Sequence, residues 1–253
     1  RLILRGLATA TALFSISSVA AEAASHDTLV KVLDQAVPAA LDTFNTPGLA
    51  VAVVSSEGLI LAKGYGNRVV GTDSPVSGDT YFRIASTTKA FTAASVAQLV
   101  QDERMRWDDK VIQHLPEFVM HDPYVTREMT VLDLLTHRSG LGGGAGDSML
   151  WPEPSGFSRE EIIHNVRFLT PQSSFRGQYG YSNVMYITAA EMVSRMTQQP
   201  WEQTVRERIF QPLDMQCFAG DVPPHVLDKT ANPYGLHDER GNSSIPRNAM
   251  EEG

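Results

Sequence analysis

A serine and a lysine three residues apart are the first pair in this sequence whose types and spacing could do chemistry together. Ser86 and Lys89 stand in the string Ser-Thr-Thr-Lys, which opens an apolar-periodic run that predicts a helix to about Val100. Side chains three residues apart on a helix share a face, so the amine lies within reach of the serine proton. A serine nucleophile needs such a base when no histidine serves it. The spacing alone arises by chance about once in a chain of this length, so other residues must support it.

A Tyr-x-Asn string supplies the next candidates. It occurs at Tyr65-Gly66-Asn67, among glycines that predict a turn, and at Tyr181-Ser182-Asn183, before an apolar helix. At the second position the Tyr181 phenol could relay a proton beside Lys89, while Asn183 orients the substrate amide and the amine. A neighbouring ammonium lowers the pKa of a phenol, which suits this role. The alternative is a packed tyrosine followed by an asparagine that caps the helix.

The backbone of the serine is a further candidate group. An N–H at the start of a helix has no partner within the helix, so that of Ser86 could stabilise a developing oxyanion.

Schemes based on histidine or metal have less support. The sequence contains no Gly-x-Ser-x-Gly string, which is the signature of another class of serine hydrolase. Its seven histidines include no His-x-His or His-Glu-x-x-His spacing, so neither a metal site nor any other cofactor is predicted. His137, in the string Leu-Leu-Thr-His-Arg-Ser-Gly, is interpreted as structural support for the loop after its helix.

Hydrophobic periodicity predicts the elements that position these residues: a helix, a β-hairpin, the helix of Ser86 and a mainly helical region. Residues 63–80 are predicted as loop and the glycine-rich residues 142–146 as a flexible connection. A two-stranded hairpin is not stable alone, so we expect further strands beyond the sequence. The predicted helices span residues 29–44, 86–100, 131–135 with Thr130 as its cap, 159–169, 184–196 and 201–210, and the predicted strands span residues 49–54 and 59–62.

Composition limits the partners. The 253 residues include 21 basic and 29 acidic side chains, giving a net charge of -8, and no basic run that would favour nucleic acid. A small-molecule or peptide substrate is therefore predicted, and the oligomeric state stays open. Cys217 is the single cysteine, which excludes an internal disulfide, and it is predicted to be a small buried side chain.

The first residues predict export. Arg1 and Arg5 precede a weakly apolar run to Ala21 and an Ala-Glu-Ala string, which together indicate a signal peptide over residues 1–23. The alternative is an uncleaved anchor, although the run is short for a membrane span. We expect a periplasmic or secreted protein with no stable membrane span after cleavage, and a hydrolase domain over residues 24–253. We also expect the sequence to lack residues at both ends.

Several strings occur in order at residues 82–89, 107–110, 134–141, 181–183 and 209–215. Together they resemble the serine β-lactamase-related family, which includes class C β-lactamases, D-alanyl-D-alanine carboxypeptidases, D-aminopeptidases and esterases. The resemblance implies an α/β (α+β) fold of the β-lactamase/transpeptidase type, with an antiparallel sheet lobe and a helical lobe. It also implies that Ser86 is acylated, that Lys89 and Tyr181 transfer protons and that Asn183 binds substrate.

One departure from the family's pattern concerns its third motif, Lys-Thr-Gly or His-x-Gly. The nearest string, Lys229-Thr230-Ala231, lacks the glycine that permits close backbone approach and is interpreted as coincidence. The fold is therefore expected to be incomplete at the C-terminus, and the 253-residue chain to be inactive alone. The predicted function is an exported serine hydrolase acting on amide, β-lactam or ester substrates. The alternative is a non-catalytic, penicillin-binding-like sensing or binding module of the same fold.

Overall fold

The fold, taken from a computed structural model, combines helices with short antiparallel sheets. The structure describes residues 26–151, 155–220, 222–237 and 241–244, so the signal peptide predicted for residues 1–23 lies outside the described residues. The helices are α1 (His26–Phe44), α2 (Lys89–Gln101), α3 (Val111–His114), α4 (Pro123–Glu128), α5 (Val131–Leu135), α6 (Arg159–Asn165), α7 (Asn183–Thr197), α8 (Trp201–Val205) and α9 (Pro224–Leu227). The strands are β1 (Gly48–Ser55), β2 (Gly58–Gly66), β3 (Tyr234–His237) and β4 (Gly241–Ser244).

The predicted hairpin is present as β1 and β2, which pair antiparallel. Helix α1 contacts β2 through Asp34, whose carboxylate accepts hydrogen bonds from Lys63 and Tyr65. The prediction of a loop from residue 63 was wrong at its start, because β2 continues to Gly66. The glycines there serve close packing: a Cβ on Gly64 would lie 2.2 Å from the carbonyl oxygen of Val76.

The main hydrophobic core lies in the helical region, where α2 packs against α7. Both helices match the predicted spans closely, because a long run rich in apolar residues without proline or glycine is a strong signal. Val96 and Leu99 of α2 and Met185 and Met192 of α7 are fully buried. Lys89, a catalytic candidate, and Asn183, a substrate-binding candidate, are the first residues of these two helices. Their packing therefore fixes the separation between the candidates.

The short helix α5 has the predicted N-cap. The Thr130 hydroxyl accepts a hydrogen bond from Asp133 N–H at 3.3 Å, and the Asp133 carboxylate accepts one from Thr130 N–H at 2.9 Å. The same carboxylate accepts hydrogen bonds from Arg176 at 2.6 and 2.9 Å. This ion pair, in which Asp133 is buried and Arg176 is half-buried, ties α5 to the segment that leads to Tyr181.

Two features near the C-terminal end differ from the predictions. Strands β3 and β4 form a separate two-stranded sheet that the sequence did not predict, because four-residue strands are too short to show alternation. Cys217 is exposed rather than buried.

Thr230, in the Lys-Thr-Ala string that the sequence analysis interprets as coincidence, forms a parallel bridge with Tyr81.

Across the described residues, none of the helices combines the length and apolar character needed to cross a membrane.

Candidate active site

Ser86 lies one turn before α2, although the sequence predicts that this helix begins at Ser86. It belongs to a 3-10 turn, Ala85–Thr88, and Lys89 begins α2. The first hydrogen bond of this turn runs from Thr87 N–H to the Ile84 carbonyl at 3.0 Å, so the N–H of Ser86 has no partner within the turn. The side-chain pairing is as expected: the Lys89 Nζ lies 3.2 Å from the Ser86 Oγ.

The residue before the serine has an unusual backbone. Ala85 has a φ of 43°, in the left-handed region that residues other than glycine seldom occupy. Ala85 is also the first residue of the 3-10 turn that carries Ser86. Ser86 is exposed.

The structure brings the four sequence-predicted site residues together. The Tyr181 hydroxyl donates to the Ser86 Oγ at 2.6 Å, and the Lys89 Nζ donates to the Asn183 Oδ1 at 2.7 Å. Ser182, rather than Asn183, is the N-cap of α7. The alternative interpretation of Asn183 as a helix cap is therefore wrong. The other Tyr-x-Asn string is separate, since Tyr65 contacts Asp34 of α1.

Tyr181 is held by backbone hydrogen bonds on both sides. Gly180 N–H donates to the carbonyl of His137 at 2.9 Å, and Gly144 N–H donates to the carbonyl of Tyr181 at 3.0 Å. A Cβ on Gly180 would lie 2.1 Å from the carbonyl oxygen of Leu141, so the backbones approach this closely only because residue 180 is glycine. The glycine-rich segment, residues 142–146, therefore helps to position the phenol of Tyr181.

His137 supports the site from behind, in agreement with its structural interpretation. Its Nδ1 accepts a hydrogen bond from Ser182 N–H at 3.0 Å, and its ring centroid lies 4.7 Å from that of Tyr181 and 5.2 Å from that of Tyr186. Burial and the charge of Lys89 lower the pKa of the imidazole. The neutral ring is thus favoured, which leaves Nδ1 free to accept the backbone hydrogen bond.

Asp147 is a site residue that the sequence analysis missed. Its Oδ1 accepts a hydrogen bond from the Asn183 Nδ2 at 3.0 Å. The one signal that could have found it is its position directly after the glycine-rich residues 142–146. Its backbone N–H donates to the Gly144 carbonyl at 3.0 Å, so the segment predicted as flexible is hydrogen-bonded around it.

The electrostatics of the site favour an acidic phenol. Burial alone raises the pKa of Tyr181, as does the nearby charge of Asp147. Hydrogen bonds with Lys89 and Ser86 and the charge of Lys89 outweigh both, so the pKa lies below its ordinary value. The ammonium also stands 4.8 Å from the centroid of the Tyr181 ring.

The arrangement can transfer a proton away from an exposed serine. Two groups able to exchange protons contact the Ser86 Oγ from the protein side. Phe82 and Ile84 expose apolar surface in the segment just before it. A carbonyl compound can therefore reach the hydroxyl from solvent.

A comparison with protein families identifies the family of this chain. The family model described as Beta-lactamase matches residues 33–253. The chain belongs to the β-lactamase family. Its members are serine hydrolases, and the β-lactamase/transpeptidase-like fold expected from the sequence is confirmed.

Among curated relatives, an unguisins hydrolase from Aspergillus campestris is 34% identical over 202 residues, covering 76% of this chain and 36% of the relative. The chain therefore spans little more than a third of that relative's length.

Solved structures agree on the fold. The D-amino acid amidase from Ochrobactrum anthropi SV3, complexed with L-phenylalanine amide, is 26% identical with a TM-score of 0.70, covering 88% of this chain and 62% of the amidase. The hydrolase EstCE1, described as having promiscuous acyltransferase activity, has a TM-score of 0.74 at 19% identity, covering 87% of this chain and 60% of that protein.

Proposed function

We propose that the protein to which this chain belongs is a serine hydrolase that forms an acyl ester on Ser86. The observation that carries the proposal is the double contact at the Ser86 Oγ, 2.6 Å from the Tyr181 hydroxyl and 3.2 Å from the Lys89 Nζ. A serine hydroxyl becomes a nucleophile when a base removes its proton during attack.

In the first step, the Ser86 Oγ attacks the substrate carbonyl carbon and its proton moves to the deprotonated Tyr181 oxygen. The Lys89 ammonium stabilises that phenolate before the proton is transferred, because it lowers the pKa of Tyr181. The N–H of Ser86, unpaired within its turn, donates to the developing oxyanion. The tetrahedral intermediate then collapses, the carbonyl carbon loses its bond to the amine or alcohol, and Tyr181 returns the proton to that leaving group.

In the second step, water hydrolyses the ester. The water oxygen attacks the acyl carbon while Tyr181 accepts a proton from the water. The bond to the Ser86 Oγ breaks, the proton returns to the serine, and a carboxylic acid leaves. Each group ends the cycle in its starting state.

The substrate class we propose is amides and esters of small acyl groups, including amides of amino acids and β-lactams. The support comes from relatives of named activity, an amidase and a hydrolase of unguisins. Asn183 fits such substrates because an amide side chain can hydrogen-bond a substrate amide.

We further propose that the protein acts outside the cytoplasm, on the evidence of the signal-peptide pattern in residues 1–23. Fractionation of the native host tests this: activity should appear in the periplasmic or extracellular fraction. Activity confined to the cytoplasm would contradict it.

Covalent labelling tests the acyl-enzyme. The full-length natural protein is incubated with a fluorescent penicillin and, separately, with an activated fluorescent ester, and labelled protein is quantified after denaturation. We expect labelling of the wild type and of Ser55→Ala, an exposed serine at the end of β1, and none of Ser86→Ala. Label that persists in Ser86→Ala would remove the proposal, and a stable adduct without turnover would favour the non-catalytic binding module.

A further inference from the structure

The side-chain amide of Asn183 is held between two groups of opposite charge. Its Oδ1 accepts from the Lys89 ammonium at 2.7 Å, and its Nδ2 donates to the Asp147 carboxylate at 3.0 Å. An amide has one accepting and one donating end, so this orientation satisfies both neighbours. The reversed amide would turn its NH2 group toward the ammonium and its oxygen toward the carboxylate.

Asp147 is itself fixed by the backbone. It opens a 3-10 turn, its N–H donates to the Gly144 carbonyl, and its carbonyl accepts from Leu150 N–H at 2.9 Å and Trp151 N–H at 3.0 Å. The carboxylate is therefore presented to Asn183 from a defined position. Within the described part of the chain, the Asp147 carboxylate makes its side-chain hydrogen bond to Asn183 and none to Ser86.

We propose that Asp147 is a positioning residue of the active site: it fixes the orientation of the Asn183 amide and through it the place of the Lys89 ammonium beside Ser86. The inference rests on the proposed acylation of Ser86. It adds a group that neither the sequence strings nor the family resemblance assigns.

The carboxylate has a second effect, through its charge. Among the described residues, four groups have a charge or a ring that faces the Tyr181 phenol. They are Lys89 from α2, His137 from the segment after α5, Asp147 from the 3-10 turn after the glycine-rich segment, and Tyr186 from α7. Among these, Asp147 raises the pKa of the phenol and Lys89 lowers it. Loss of the carboxylate charge therefore moves the titration of Tyr181 to lower pH.

Two substitutions separate the orienting effect from the charge effect. Asp147→Asn keeps an oxygen that can accept from the Asn183 Nδ2 but removes the charge, whereas Asp147→Ala removes both. Asp108→Asn is the matched control, because it removes a surface carboxylate whose side-chain hydrogen bonds within the described part of the chain come from Arg106.

The experiment measures the acylation rate constant of the full-length protein with an activated ester from pH 5 to pH 10, with melting temperatures alongside. We expect Asp147→Ala to be slower by about 100-fold, the scale of a small misplacement of reacting groups, and Asp147→Asn to recover most of that loss. Both variants should reach half-maximal rate at lower pH than wild type, because the phenol loses the charge that raises its pKa. Asp108→Asn should match wild type throughout.

Three results would overturn the proposal: wild-type rates in Asp147→Ala, equal loss in both Asp147 variants, or slowed variants whose pH profile does not move. If Asp147→Ala does not fold, the pH profile and rate of Asp147→Asn still decide. These outcomes are distinct from failure of the proposed function, in which the wild type itself would not be labelled on Ser86.

Discussion

At the residue scale, the site is a short chain of hydrogen bonds around one exposed hydroxyl. Ser86 faces solvent, while Lys89, Tyr181 and Asn183 are partly buried behind it. The reacting oxygen is thus accessible to substrate, and the groups that exchange its proton are partly shielded from water. Shelter strengthens each electrostatic contact, because charges interact more strongly where the effective dielectric is low.

Removal of the Tyr181 hydroxyl should slow acylation without disturbing the fold. We expect Tyr181→Phe to lower the acylation rate constant by about 10²- to 10⁴-fold, the usual contribution of general acid–base catalysis. The ring still packs on His137, so the melting temperature should stay close to wild type. Stopped-flow labelling with an activated ester measures the rate.

The matched control is Tyr179→Phe, which removes a hydroxyl from a ring that is 70% exposed and also contacts His137. This variant should label at the wild-type rate. A Tyr181→Phe protein that acylates as fast as Tyr179→Phe would show that the phenol does not transfer the serine proton.

The sequence predicts the four site residues because each pair lies within a short string. Ser86 precedes Lys89 by three residues at the start of α2, and Tyr181 precedes Asn183 by two residues at the start of α7. Asp147 escapes such reasoning, since its contact with Asn183 joins residues 36 apart and depends on how the glycine-rich segment folds. A lone aspartate after glycines carries no signal of that kind.

At the element scale, the position of Tyr181 depends on two segments that touch backbone to backbone. The segment around Gly180 lies against Leu141, and the glycine-rich segment bonds the Tyr181 carbonyl. Neither segment has hydrophobic periodicity, so the sequence predicts them only as loops. By contrast, α1, α2 and α7 are long runs rich in apolar residues, and their predicted ends differ from the observed ones by no more than a few residues.

A methyl group at Gly180 should displace the phenol. We expect Gly180→Ala to lower the acylation rate by about 100-fold, because a shift of about 1 Å in a positioned group has that effect. Gly143→Ala in the facing segment is the control, since its Cβ would meet nothing within 4 Å. Rates and urea unfolding are measured for both, and equal acylation by the two variants would contradict this account of how Tyr181 is held.

His137 should make the stability of the protein depend on pH. Burial and Lys89 lower the pKa of its imidazole, so the unfolded chain binds a proton more readily than the folded one. Stability from this source is therefore complete above the ordinary value of 6.5 and falls as the pH drops below it.

Urea unfolding at several pH values between about 7 and 5 measures that loss. We expect the difference in unfolding free energy between wild type and His137→Gln to shrink as the pH falls. His121→Gln, at an exposed histidine, should run parallel to wild type. A wild-type curve that also runs parallel to His137→Gln would exclude the linkage.

At the scale of the whole molecule, burial is unequal. The hydrophobic core is built from α2 to α8 and the segments between them, whereas α1 buries only Val37 and the β1–β2 hairpin only Leu61 among their described residues. The chain also spans only 36% to 62% of the lengths of the relatives and structures compared above. In this chain, the helical side of the site therefore rests on more buried side chains than the hairpin does.

Hydrogen exchange should reveal that inequality in the 253-residue chain. Amides of α7 are expected to exchange more slowly than those of β1 and β2 by on the order of 100-fold or more, because regions with few buried contacts open more readily. Exchange followed by mass spectrometry resolves these peptides. Equal protection of the hairpin and α7 would contradict the unequal distribution of burial.

The central claim is that Ser86 carries the acyl group during turnover. The most direct test is rapid-quench mass spectrometry of the full-length protein with an activated ester, followed by peptide mapping. We predict a transient mass increase of one acyl group on the peptide that contains Ser86, which forms and decays at rates consistent with turnover. An adduct on any other residue, or turnover with no adduct on this peptide, would contradict the account.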